Sequence, residues 1–195
     1  VRFLLVTCRS SAINTPDIRE VTPLVAACIE APDRIRCSVL RLLLQHGANP
    51  NPSDPSTEQA PMYRVAYHND IKGVRLLMEA GARIHDSDNF MHSAVNAAAF
   101  HGSHSLLKWF AKSGFDYSAS KTGSDRSPFL SAVLSSDFRT MKLLVKLGAN
   151  PLALDKSGSS ALHLFVYGVS NGKNSRESEV VPVDDVVRYL VRTCG

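Results

Sequence analysis

The stretch Leu40-Arg-Leu-Leu-Leu-Gln-His-Gly-Ala-Asn-Pro-Asn51 decides the fold, because the chain repeats its pattern. It returns as VRLLMEAGARIH from Val74, LKWFAKSGFDYS from Leu107 and MKLLVKLGANPL from Met141. The glycines Gly47, Gly81, Gly114 and Gly148 step by 34, 33 and 34 residues. A second phrase accompanies the first. It reads Thr22-Pro-Leu-Val-Ala-Ala-Cys28, Ala60-Pro-Met-Tyr-Arg-Val-Ala66, Ser93-Ala-Val-Asn-Ala-Ala-Ala99, Ser127-Pro-Phe-Leu-Ser-Ala-Val133 and Ser160-Ala-Leu-His-Leu-Phe-Val166. Each phrase carries its own helix signals. Thr or Ser caps an N-terminus and Pro suits the first turn. The Leu-rich run has helical apolar spacing, and the glycine after it suits the left-handed residue that ends a helix.

A period near 33 residues, with Thr-Pro-Leu-like openings, a Leu-rich second helix and a closing Gly-Ala, resembles the ankyrin-repeat family. The resemblance runs along nearly the whole chain. It implies an all-α solenoid of about five helix-turn-helix repeats joined by hairpin-like finger loops. The expected division of 1–195 is a partial repeat over 1–14, then repeats over 15–51, 52–85, 86–118, 119–152 and 153–195. Two departures stand out. The first repeat has about four extra residues near Glu30–Arg36, where Pro32 is expected to lengthen the inter-helix loop. The last carries a polar insert over about 168–183, expected as a mobile loop. The chain opens without Met, and its ends lack polar outer faces, so it reads as a fragment flanked by further repeats or a cap.

Ser160 and His163 could be mistaken for a nucleophile and its base. They occupy the Thr and His positions of the family's Thr-Pro-Leu-His motif, which implies local structural bonding, and no nucleophile elbow or third partner is visible. With no phosphate loop and no metal-ligand spacing, no catalytic residue, metal or cofactor is expected, and the chain is read as a non-enzyme. The charge is +4, with Lys/Arg runs such as Arg34-Ile-Arg36 too short to suggest nucleic acid, so none is expected as a partner. No apolar run reaches the roughly 20 residues of a membrane span. Four scattered cysteines suit a reducing cytoplasmic or nuclear setting, although a Cys28–Cys37 disulfide stays open.

The resemblance also implies where a partner binds. Two positions after the Ala pair point out from the concave face in the family. Here they include Tyr67, His68, Phe100, His101, Leu134 and Tyr167, an apolar and aromatic column where polar residues are usual. Finger tips would add Arg19, Phe90, His92, Arg126 and Lys156. The expected function is a non-catalytic module that holds a peptide or protein in the groove. Fold analogy adds the substrate-recognition part of a ubiquitin-ligase adaptor; the alternative is the cytosolic regulatory repeat domain of a larger enzyme or channel. Two other arrangements suit the same residues: packing beneath the finger loops or a flanking domain, and a one-residue slip that turns the column inward.

Overall fold

Local chemistry sets the helix boundaries in a computed structural model that describes residues 10–52, 60–83, 93–118, 126–170 and 183–194. After a short 3-10 turn at Ser10–Ile13, ten α-helices follow: α1 Pro23–Glu30, α2 Asp33–Gln45, α3 Pro61–Tyr67, α4 Ile71–Glu79, α5 Ala94–Phe100, α6 His104–Lys112, α7 Pro128–Leu134, α8 Phe138–Lys146, α9 Ala161–Ser170 and α10 Val183–Cys194. The described residues contain no β-strand. Thr22, Ser93 and Ser127 each accept a hydrogen bond from the amide three residues on, relieving one orphan donor at a helix start. At the other end, Gly47 takes φ 88° while the Ala48 amide donates back to the Leu43 carbonyl. That bond satisfies a carbonyl the helix leaves unpaired, and only glycine enters this region without strain.

The odd-numbered helices form one layer, each packed on the next from α1 to α9, and the even-numbered helices form a second layer behind it. The first layer is short and rich in alanine, so the backbones approach closely. Val65, Ala98, Ala99 and Val133 are sealed between neighbours, and the second layer contributes Leu40, Leu77, Phe110, Leu144 and Leu190 to the same core.

Side-chain amides tie successive repeats together. Asn51 donates from Nδ2 to the Gly81 carbonyl (2.9 Å) and accepts from the Arg83 amide (2.9 Å). Asn14 does the same one repeat earlier with Gly47 and Asn49. Asn96, buried within α5, donates to the Arg126 carbonyl at 3.0 Å, and the His104 ring lies 2.8 Å from the buried Thr140 hydroxyl. Asn96 stands where the family's motif has histidine, so a different side chain makes the cross-repeat bond.

The extra residues of the first repeat do not lengthen its loop. Only Ala31 and Pro32 separate α1 from α2, and α2 instead has 13 residues against 9 in α4, α6 and α8. Pro32 fixes an extended backbone and starts the helix one turn early. That turn buries Arg36, whose guanidinium meets Asp33 at 2.7 Å and the next repeat's Asp70 at 3.8 Å. In the last repeat α9 continues through Gly168 to Ser170 and Val183 opens α10, so the expected loop is shorter at both ends. Residues 171–182 lie outside the described residues.

Candidate inner-face site

The first-layer helices place one side chain per repeat at the position of Tyr67, immediately after the buried Ala66-type residue. Tyr67 is 42% exposed and Tyr167 58% exposed, with Phe100 half-buried between them in the sequence of repeats. Leu134 breaks the column: it is 6% exposed and belongs to the core. Its neighbour Gly168 explains this. The α9 backbone lies so close to α7 that a Cβ on Gly168 would sit 2.6 Å from the Leu134 carbonyl oxygen. The same closeness buries Ser135.

Tyr67 is the hub of an aromatic cluster spanning two repeats. Its ring centroid lies 4.1 Å from that of His101, 5.3 Å from His68 and 6.2 Å from Tyr63. Phe100 meets His101 edge-on at 5.1 Å. Such edge contacts suit the ring quadrupole and favour this arrangement of the rings. His68 is held below the usual imidazole range, first by partial burial and then by the Arg36 charge. Arg64 lies beside the cluster, its guanidinium 5.7 Å from the Tyr63 centroid and its buried Nε without a hydrogen bond. Sequence reading missed Arg64. Its signal was a charged residue inside an otherwise uncharged first-layer helix.

Tyr167 has a second reason for exposure. Val166 beside it is 65% exposed, whereas its counterparts Cys28, Ala66, Ala99 and Val133 are fully buried, because a following first-layer helix covers each of those. Among the described residues no such helix follows α9.

The finger residues divide. Arg19 is exposed but pairs with Asp17 (3.0 Å) and Glu30 (3.6 Å). Arg126 is not an open tip: its Nε lies 3.8 Å from Asp155, so its charge serves the neighbouring finger. Lys156 is exposed on the tip of that finger, next to Asp155. Burial alone would raise the Asp155 carboxyl, but hydrogen bonds from the Ser157 hydroxyl and the Ser159 and Ser157 amides, with Arg126 nearby, hold it below the usual range. Phe90 and His92 lie outside the described residues.

The Ser160 hydroxyl lies 2.8 Å from His163 Nδ1 at the start of α9. The pair bonds across three residues, as capping geometry does. Cys28 is sealed in the core with its thiol pushed up to about 12, first by burial, and Cys37 is likewise raised, first by burial. Both are free thiols. Among the described residues no three His, Cys, Asp or Glu side chains converge as metal ligands, and no helix is long and apolar enough to cross a membrane.

Comparisons with known proteins agree with this architecture. Residues 91–145 match the family described as ankyrin repeats (many copies), and residues 20–55 match the family described as ankyrin repeat. A cyclin-dependent kinase inhibitor 2A of Monodelphis domestica is 34% identical over 68 residues. The match covers 35% of this chain and 40% of that relative.

Proposed function

We propose that this chain, which belongs to the ankyrin-repeat family, is a non-catalytic protein-interaction module whose partner seats on the concave face against the Tyr67 cluster. Ankyrin repeats in general are protein-interaction modules. The finer reading rests on one observation: Tyr67 is 42% exposed yet held by His101, His68 and Tyr63. A pre-ordered tyrosine offers contact area at small entropic cost, which is the profile of an interface anchor. Phe100, His68 and His101 extend the surface, and Tyr167 stands beyond the buried Leu134 as a separate exposed ring. Lys156 and Arg19 frame it from the fingers. The relative's name describes inhibition of a kinase by a protein that shares part of this sequence, which supports including folded protein surfaces in the partner class.

The substrate-recognition part of a ubiquitin-ligase adaptor and the regulatory repeat domain of a larger enzyme or channel would use the same face; fold analogy alone carries both. A cytoplasmic or nuclear location suits either.

Selection from a displayed peptide library tests the reading. Selected peptides are expected to bind the wild-type chain and to lose at least about tenfold in affinity to Tyr67→Ala/Phe100→Ala, the cost of a truncated aromatic anchor. The thermal melt of the double variant is expected to stay within a few degrees of wild type. Retained binding contradicts the assignment, and an unfolded variant shows that the rings are core.

A further inference from the structure

The second-layer helices carry a cationic strip that linear reading conceals. Two residues before each buried anchor Leu43, Leu77, Phe110, Leu144 and Leu190 stand Arg41, Arg75, Lys108, Lys142 and Arg188, all exposed. One basic residue per repeat becomes a continuous row once the repeats stack about 10 Å apart, so the five span about 40 Å. Positions three before and four after each lie within about 60° on the same helix face. They add Lys72 and Arg139 on one side and Lys112, Lys146 and Arg192 on the other. Ten of the fifteen positions are therefore cationic, against two acidic ones, Glu79 and Asp185. The five even-numbered helices hold twelve of the 22 Lys/Arg but four of the 18 Asp/Glu, so the rest of the chain, with ten against fourteen, is net acidic. The mild overall charge of +4 conceals a strongly basic set of second-layer helices.

Among the described residues none of the five central side chains forms an ion pair, whereas Arg19, Arg36 and Arg126 do. We propose that this strip binds the phosphate backbone of a nucleic-acid duplex, independently of sequence and separately from the inner-face site. Three features select this occupant. All fifteen positions are polar and exposed, whereas protein interfaces are centred on aromatic and apolar anchors. A helix that inserts into a membrane surface shows a broad apolar face, and beside the strip only Val191 is a largely exposed apolar side chain; purely electrostatic adsorption to anionic lipid is left to the vesicle arm of the test. A single strand would need rings for base stacking, and Trp109, Phe138 and Tyr189 are only partly exposed, packed against the core. A regular line of Lys and Arg matches what sequence-independent duplex binding uses.

Fluorescence anisotropy with a labelled mixed-sequence DNA duplex of about 20 bp, titrated across salt, tests this. Wild type is expected to bind at low salt, with log K falling linearly against log salt. The variant Lys108→Gln/Lys112→Gln/Lys142→Gln/Lys146→Gln is expected to bind at least tenfold more weakly, with a slope shallower by about one for each phosphate it no longer neutralises. Circular dichroism confirms that it folds. Lys156→Gln and Tyr67→Ala/Phe100→Ala are expected to leave duplex binding unchanged, which separates this outcome from that of the inner-face site. No duplex binding at about 50 mM salt would make the strip a solubilising face and overturn the proposal. Equal binding by the quadruple variant, or tighter binding to polyglutamate or phosphatidylserine vesicles than to the duplex, would also overturn it.

Discussion

Replacing Gly168 with Ala probes the contact that shapes the end of the inner face. A Cβ there would lie 2.6 Å from the Leu134 carbonyl oxygen, while an ordinary contact begins near 3.4 Å, so α9 must move away from α7 by about 0.8 Å. The obstacle is backbone and cannot rotate aside. Forcing a methyl into a filled contact costs about 1–3 kcal/mol. Alanine in a helix interior recovers about 1 kcal/mol relative to glycine. With a backbone obstacle at 2.6 Å the upper half of the contact cost applies, about 2–3 kcal/mol, so the net expectation is a loss of about 1–2 kcal/mol, a fall of about 2–8 °C in the melt of a chain this size. Because the last repeat touches chiefly its neighbour, the loss is expected to appear first there. Far-ultraviolet circular dichroism should therefore begin to fall before the fluorescence of Trp109, the one tryptophan, which sits in α6. An unchanged or raised melt would refute the close approach of α9 to α7, and with it the reason that Leu134 is buried.

Two further perturbations test how repeats are joined. Asn51→Ala removes both cross-repeat hydrogen bonds to Gly81 and Arg83, so urea unfolding is expected to show a loss of about 1–2 kcal/mol; a change under about 0.3 kcal/mol would mean that water replaces the clamp. Asp155→Asn tests the finger carboxylate. Its folded pKa is depressed, so its contribution is fully present above the unfolded value near 4 and is lost as pH falls through the lower folded value. Wild type should therefore lose more stability than the variant between neutral pH and about pH 2. Superimposable acid profiles in urea midpoints would show that the carboxylate stabilises nothing.

Most of the repeat architecture was legible because its determinants are local. Thr22, Ser93 and Ser127 cap helices through their own side chains, and Gly47 and its counterparts end them through their own backbone, so single phrases carry the boundaries. The turn added to α2 was not legible. Pro32 can extend a loop or start a helix, and only the burial of Arg36 against Asp70 settles which. The inner column was legible as a register but not as an exposure pattern. Tyr67 and Leu134 occupy equivalent positions, and the difference between 42% and 6% exposure arises from the neighbouring helix, through Gly168. The ion pair of Arg126 was hidden for a similar reason, since its partner Asp155 lies one repeat away. The cationic strip was invisible along the chain because its members step by 34, 33, 34 and 46 residues and become neighbours only on stacking.

A partner seated on the inner face would contact the Tyr67 cluster first. Adding a library-selected peptide to the isotope-labelled chain and following amide and aromatic-ring chemical shifts by NMR tests it directly. Shifts concentrated on Tyr63, Tyr67, His68, Phe100 and His101 are predicted. Shifts confined to the even-numbered helices, with those five rings unmoved, would contradict it.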